Sequence, residues 1–373
     1  MRRKFSLLLT GAFLLAAGSA FAADVSLFGD VFFWPRFQQE TFENTEEGAL
    51  TTKRTESVIR ILRRANLGAN LCWGEGFSGR VKLAVDNAAN IIVMPNAGVA
   101  VMEEAYIAWE SDPLRLAGGR LPIAKYAGSV VMDAHTAPAN PTDAPFAVFD
   151  RALINGLSVD YRVADNIEVT GIYDRLVNRT RVTFEGPDAD PDQDATDQDT
   201  VGLLSTIRLD ALRLVPAFVM TLPSTDAANQ PQPSRTSYGL DAGYVINGVA
   251  LSAGVAMTSV KLEEEATDTT LANHVRNDTL IYRAGLGYKG FSLLFEMGTY
   301  TEYAWDALEE EWADDEVSSD LMHIAASYNY VISPGISVQP RIKYFTRKFG
   351  NATDTEWNEY SRLRLEALLI GRF

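Results

Sequence analysis

The last fourteen residues, from Tyr360 to Phe373, alternate in character at every step. Leu363, Leu365, Ala367, Leu369, Gly371 and Phe373 fall on one face, and Arg362, Arg364 and Glu366 fall on the other. That is the two-residue period of a β-strand. A strand greasy on one side and charged on the other belongs either to a half-buried soluble sheet or to the wall of a closed barrel with lipid outside and water inside. The same period recurs along the chain. Phe77, Gly79, Val81, Leu83 and Val85 alternate with Ser78, Arg80, Lys82, Ala84 and Asp86, and Val249, Leu251, Ala253, Val255 and Met257 alternate with Ala250, Ser252, Gly254, Ala256 and Thr258.

Read this way, strands are expected near 25–37, 56–72, 77–91, 100–110, 113–122, 150–163, 166–178, 200–209, 211–222, 235–246, 249–262, 278–289, 291–303, 319–331, 336–349 and 358–373. Their number is about sixteen, and even, as single-chain membrane barrels require. The connections are alternately tight and long. Gly74-Glu75-Gly76, Ser111-Asp112, Ala164-Asp165, the Asp210 corner, Asn247-Gly248, Lys289-Gly290 and Ser333-Pro334-Gly335 carry the residues that tight reversals need. Seven tight turns against eight longer loops put both termini on one side of the membrane.

The amino terminus has the form of an export signal. Arg2, Arg3 and Lys4 precede an apolar run from Phe5 to Ala17, and Ala20-Phe21-Ala22 supplies a small-residue cleavage site. Residues 1–22 are read as a signal peptide and 23–373 as an all-β transmembrane antiparallel barrel. No stretch approaches the roughly 18 uninterrupted apolar residues of a spanning helix, so a mature chain in a membrane must cross as strands. The terminal strand ending in an aromatic also resembles the C-terminal assembly signal of bacterial outer-membrane proteins. That resemblance implies an outer-membrane location, contact with the barrel-assembly machinery through Phe373, and lipid and lipopolysaccharide as surroundings.

Composition is compatible with a barrel, since only alternate residues meet lipid and 47% hydrophobic residues suffice. The formal charge of -16 argues against nucleic acid as a partner. A single cysteine, Cys72, allows neither an internal disulfide nor a cysteine metal cluster. Much of the acid sits in the long connections, as at Asp188, Asp190, Asp192, Asp194, Asp197 and Asp199. Asp190, Asp192 and Asp194 have the oxygen chemistry to hold loop-bound calcium or magnesium. Their spacing does not match the twelve-residue calcium loop, which favours a solvated acidic loop and no resident cofactor.

The face opposite the apolar one is basic. Arg60, Arg64, Arg80, Lys82, Arg341, Lys343, Arg362 and Arg364 share it, and closure of the first strand on the last would gather them on one side of a lumen. Such a wall concentrates anions in an aqueous channel, or else its arginines pair with carboxylates and stiffen the barrel. The third long connection, 123–149, is the candidate constriction. It carries Val130-Val131-Met132, Pro138, Pro141 and Pro145; folded into the lumen, it would set Asp133, His135, Asp143 and the adjacent Asp150 against the basic wall.

Val25-Ser26-Leu27-Phe28-Gly29, Glu104-Ala105-Tyr106-Ile107-Ala108, Leu116-Ala117-Gly118-Gly119-Arg120, the long third loop and terminal Phe373 together resemble the sixteen-stranded porins of Gram-negative bacteria. The resemblance implies a water-filled channel for small hydrophilic solutes, a homotrimer, and a place for Arg120 in the basic cluster at the constriction. Arg115 and Arg120 have opposite parity, so both face water only if Gly118-Gly119 carries a bulge. Where the family carries an arginine before a Leu-Gly pair, this chain has Asn66, with Arg64 on the same face. The family's glycine-rich acidic third-loop motif is missing.

The sequence therefore predicts a porin for passive diffusion with a preference for anions. A solute-specific channel for carboxylates, sugars or phosphate is the alternative. A barrel hydrolase would have to draw on His135, His274 near Asp278, or His323 beside Ser319 and Asp320, and histidines scattered in this way are usually bystanders. An adhesin would need a soluble domain that the strand assignments leave no room for.

Overall fold

The computed structural model describes residues 24–46, 49–86, 99–122, 153–179, 195–225, 231–232, 234–262, 275–306, 311–349 and 359–373. The expected signal peptide lies outside them. So do Asp133, His135, Asp143, Asp150, Asp190, Asp192, Asp194 and His274.

The described residues are almost wholly strand. The first half of the wall is β1 (Asp24–Glu46), β2 (Ala49–Gly74), β3 (Phe77–Asp86), β4 (Val99–Ser111), β5 (Leu114–Pro122), β6 (Leu153–Ala164), β7 (Ile167–Arg179), β8 (Ala195–Leu209) and β9 (Leu212–Thr221). A short ribbon follows, β10 (Ser224–Thr225) with β11 (Pro231–Gln232). The wall resumes with β12 (Ser234–Ile246), β13 (Val249–Leu262), β14 (Val275–Tyr288) and β15 (Phe291–Asp306). It ends with β16 (Glu311–Tyr328), β17 (Tyr330–Ser333), β18 (Ile336–Phe349) and β19 (Glu359–Arg372).

Each wall strand pairs antiparallel with the next, β9 pairs with β12, and β1 pairs with both β2 and β19. β16 and β17 both pair with β18 and are two stretches of one stave, so the 17 strands of the sheet make sixteen staves. The barrel is closed, which leaves no edge to satisfy in lipid.

All sixteen expected strands are present. The largest difference is at the first hairpin, where β1 runs nine residues past the expected end at Phe37 and β2 begins at Ala49 instead of 56. Gln38-Gln39-Glu40-Thr41 and Thr55-Glu56-Ser57 have no apolar period to signal a strand, yet paired backbones continue the ladder above the greasy belt. The tight turns fall where expected. At Asn247-Gly248 both residues take positive φ, 51° and 78°, the paired left-handed conformation of a two-residue hairpin.

Closure is local and specific. Gly29 N donates to Phe373 O at 3.0 Å and Phe373 N donates to Gly29 O at 3.0 Å. The Phe373 ring lies over Gly29, where a Cβ would sit 2.3 Å from it. The last residue is thus pinned to the first strand.

The faces separate as the period requires. Val25, Leu27, Val31 and Phe33 on β1, Leu157, Val159, Tyr161 and Val163 on β6, and Leu365 and Leu369 on β19 are exposed on the outward face. At the rim that carries the short turns, Trp73, Phe77, Tyr244, Tyr288, Phe291, Tyr328, Tyr330 and Phe373 are exposed aromatics, the girdle of a membrane barrel. Trp34 belongs to the inner face. Its parity is that of Arg36, whose guanidinium lies 4.5 Å from its ring.

The buried apolar side chains, among them Ala108, Leu121, Ile154, Leu204, Val215, Ile281, Leu321 and Phe345, have the inward parity of their strands. At their level the inner wall is enclosed. A one-residue bulge sets part of this face. Lys82 pairs with Glu104 but Leu83 with Met102, so Glu103 is the extra residue. Glu104 consequently turns inward and is buried while Met102, two residues away, is exposed outward.

Candidate functional site

The inner faces of β18, β19, β1, β2 and β3 lie side by side, and the register decides which inward residues meet. One cross-strand row reads Arg36, Glu366, Arg341, with the backbone of Arg60 on β2 paired to that of Arg36. The next reads Gln38, Arg364, Lys343, and the one after it Glu40, Arg362, Phe345, His323, Glu296, Arg283. Inward residues directly opposite are about 5 Å apart at Cβ, and diagonal ones are within reach of long side chains.

At mid-wall one carboxylate sits among cations. Arg36 Nε lies 2.9 Å from Glu366 Oε1, and Lys343 Nζ lies 3.7 Å from Glu366 Oε2. The Glu366 side chain is 0% exposed, against 13% for Arg36 and 18% for Lys343. Arg364 Nε donates to Gln38 Oε1 at 2.8 Å, and Arg341 donates to Gln339 on its own strand. Arg36 and Arg341 also lie over the Trp34 ring, at 4.5 and 5.9 Å from its centroid.

A second group stands lower, near the short-turn rim. Arg80 Nε is 2.6 Å from Glu104 Oε2, Lys82 Nζ is 3.6 Å from Glu104 Oε1, and Arg80 donates to Asn70 Oδ1 at 3.1 Å. The Arg80 guanidinium stacks over Phe28 at 4.0 Å, and Phe28 in turn occupies the space that Gly68 leaves by having no side chain. Higher up, Arg64 Nε donates to Asn66 Oδ1 at 3.1 Å, and Asn66 donates to Asp30. Arg362 lies over Phe345, and Tyr360 donates to Glu40 Oε1 at 2.8 Å.

Across β14, β15 and β16 lies a third group, enclosed in the wall. Arg283 Nε donates to Glu296 Oε1 at 2.7 Å, and His323 Nδ1 is 2.6 Å from Glu296 Oε2. Glu296 is 0% exposed and its two partners are buried. On the β5–β7 side Arg115 pairs with Asp160 at 3.0 Å, and Asp160 also accepts from Thr170 at 2.6 Å. The basic residues therefore do not stand free. Carboxylates, amides and aromatic rings of the wall itself hold their heads.

No family model matches the sequence, and no curated protein does. Solved structures do match. OmpF of Salmonella typhi, solved in complex with daunomycin, is 12% identical over 94% of this chain and 97% of its own, with a TM-score of 0.55. The outer membrane channel DcaP of Acinetobacter baumannii has the same identity, coverage and TM-score. A trimer form of OmpT, an outer membrane protein of Vibrio cholerae, is 12% identical over 93% of this chain and 99% of its own, at 0.52. The fold is that of the sixteen-stranded porins.

Within this barrel the expected basic residues divide into groups. Arg341, Lys343, Arg362 and Arg364 are neighbours on β18 and β19, and the backbone of Arg60 on β2 pairs with that of Arg36. Arg64 stands on β2, four residues from Arg60, and Arg80 with Lys82 forms the separate lower group. Arg120 is not among them. The ladder through Gly118-Gly119 runs without a register shift, so the expected bulge is absent. Gly119 instead adopts a φ of 124°, in close contact with Ala105 and Tyr106. Arg120 thus shares its parity with Leu116 and Leu157 of the outward face, opposite to that of Arg115, and donates to Asn155 Oδ1 at 3.1 Å.

Reading the sequence alone passed over Arg36 and put Arg283 and Glu296 on the lumen face without joining them to His323. Arg36 follows Trp34 and Pro35 in a stretch with no clean alternation, whereas the register sets it opposite Glu366. Cross-strand register was the missing signal. His323 was set beside Ser319 and Asp320 because its actual partner lies 27 residues away on the facing strand.

Proposed function

We propose that the protein is an outer-membrane porin, a water-filled channel for passive diffusion of small hydrophilic solutes with a preference for anions. The observation that carries this reading is the charge of the inner wall. On β18, β19, β1, β2 and β3 the described inward residues include Arg341, Lys343, Arg347, Arg362, Arg364, Arg372, Arg36, Arg54, Arg64, Arg80 and Lys82 against Asp24, Asp30, Glu40, Glu56 and Glu366, with Glu104 beside them on β4. From Arg80, three residues above the start of β3, to Arg347, eleven above the start of β18, the basic side climbs roughly 20 Å of wall. A one-sided basic lining raises the local concentration of anions along a path.

The outward apolar belt and aromatic rim support a membrane-spanning barrel, and the exported amino-terminal pattern supports the outer membrane with lipopolysaccharide around it. The connection between β5 and β6 is proposed to fold into the lumen. The enclosed inner wall beside its ends, with Leu121 2% and Ile154 0% exposed, is what supports this. A homotrimer is proposed on the likeness to the OmpT trimer form. Among the described residues the one histidine, His323, is held by a carboxylate and an arginine inside the wall, which supports a channel over a hydrolase.

Liposome swelling tests the reading. Vesicles holding the refolded protein should admit arabinose, glucose and raffinose at rates falling with size, and should admit gluconate faster than glucosamine. Exclusion of all three sugars by folded protein would overturn the diffusive pore, and faster glucosamine would overturn the anion preference.

A further inference from the structure

Glu366 occupies the central stave of three. Its Cα partners are Arg36 on β1 and Arg341 on β18, and Lys343 reaches it diagonally. The carboxylate is fully enclosed, while the cations around it keep part of their surface in water. The cations thus stand between Glu366 and the lumen. Glu40 is different: it sits higher on β1, where it accepts from Gln38 and Tyr360 at 2.8 Å each.

We infer that Glu366 is a built-in counter-ion that sets how strongly this wall holds anions. This rests on the channel reading above. With Glu366 in place, the point on which Arg36 and Lys343 converge is already filled by two oxygens, so a passing anion meets an attractive but satisfied wall. Conduction needs sites that an ion enters readily and leaves readily. With the charge removed and the shape kept, Arg36 and Lys343 lose their counter-ion, and their lumen-facing sides hold an oxyanion: a carboxylate, phosphate or sulfate. Glu366 therefore decides between passage and retention.

Glu366→Gln keeps the shape and removes one charge. A unit charge about 8 Å from the ion path, at an effective dielectric of about 60, changes local anion concentration roughly threefold. The chloride-to-potassium permeability ratio, from reversal potentials of the refolded protein in planar bilayers, should rise by about that factor over wild type. Inorganic phosphate at millimolar concentration should then reduce chloride current in Glu366→Gln and not in wild type. Glu40→Gln should move the ratio less than half as far and produce no phosphate block. An equal effect in Glu40→Gln, or no phosphate block in Glu366→Gln, overturns the inference. If Glu366→Gln does not refold, Lys343→Met gives the opposite arm: the ratio should fall roughly threefold, and an unchanged ratio overturns the inference. The effect is measured relative to wild type, so a cation-preferring wild type would defeat the anion reading while leaving the role of Glu366 to be decided by the variants.

Discussion

Leu203 tests whether the outward face meets hydrocarbon. It lies on β8 with an exposed side chain, between Gly171 of β7 and Phe218 of β9. Leu209, at the end of the same strand beside the Asp210 turn, shares its face and is also exposed. Six residues separate them, which at about 3.3 Å per residue and a tilt near 40° is roughly 15 Å of height. Against a belt about 25 Å tall, Leu203 stands near the midplane and Leu209 near the interface. Arginine at the midplane of such a barrel costs about 2–4 kcal/mol and near the interface about 0–1 kcal/mol. Leu203→Arg should therefore destabilise the barrel by about 3 kcal/mol, and Leu209→Arg by less than about 1 kcal/mol, in reversible urea unfolding from lipid vesicles followed by tryptophan fluorescence. An arginine at Ser252, one residue from Leu251 but on the inner face, should stay within about 0.5 kcal/mol. Equal costs at 203 and 209, or a larger cost at 252 than at 203, would refute the assignment of faces.

Glu296→Gln should lower stability by about 3 kcal/mol in the same assay, because it leaves Arg283 buried without its carboxylate; a change under about 1 kcal/mol would show that the group is open to water. Gly29→Val should impair closure, since a Cβ meets the Phe373 ring at 2.3 Å and the Asn66 carbonyl at 3.0 Å. A loss of heat-modifiable folded species on refolding, partly recovered by Phe373→Ala in the same chain, is the expected result, and normal folding of Gly29→Val would contradict the seam.

The strands were legible because a half-wetted wall imposes a strict two-residue period. Phe77 to Asp86 and Val249 to Thr258 show it plainly, and the residues flanking each tight turn mark where a stave ends. The period fails where backbone, not side chain, decides the outcome. The upper parts of β1 and β2 carry no apolar alternation, and only pairing keeps them extended. At Glu103 a bulge reverses the parity between Met102 and Glu104, and at Gly119 a positive φ accommodates the tight contact without reversing it. Arg120 was misplaced for a related reason: an arginine near glycines does not state its own parity. The partners of the basic wall were illegible in principle. Glu366 meets Arg36 across 330 residues of sequence, and Glu296 meets His323 across a hairpin, contacts fixed by register and closure.

The most direct test of the channel and its basic wall is the reversal potential of the refolded wild-type protein in a planar bilayer separating tenfold different concentrations of potassium chloride. Stepwise conductance with a reversal potential toward the chloride equilibrium value is the predicted result. A reversal potential toward that of potassium would contradict the assignment of selectivity to the arginine-lined wall, and silence from folded protein would contradict the open pore itself.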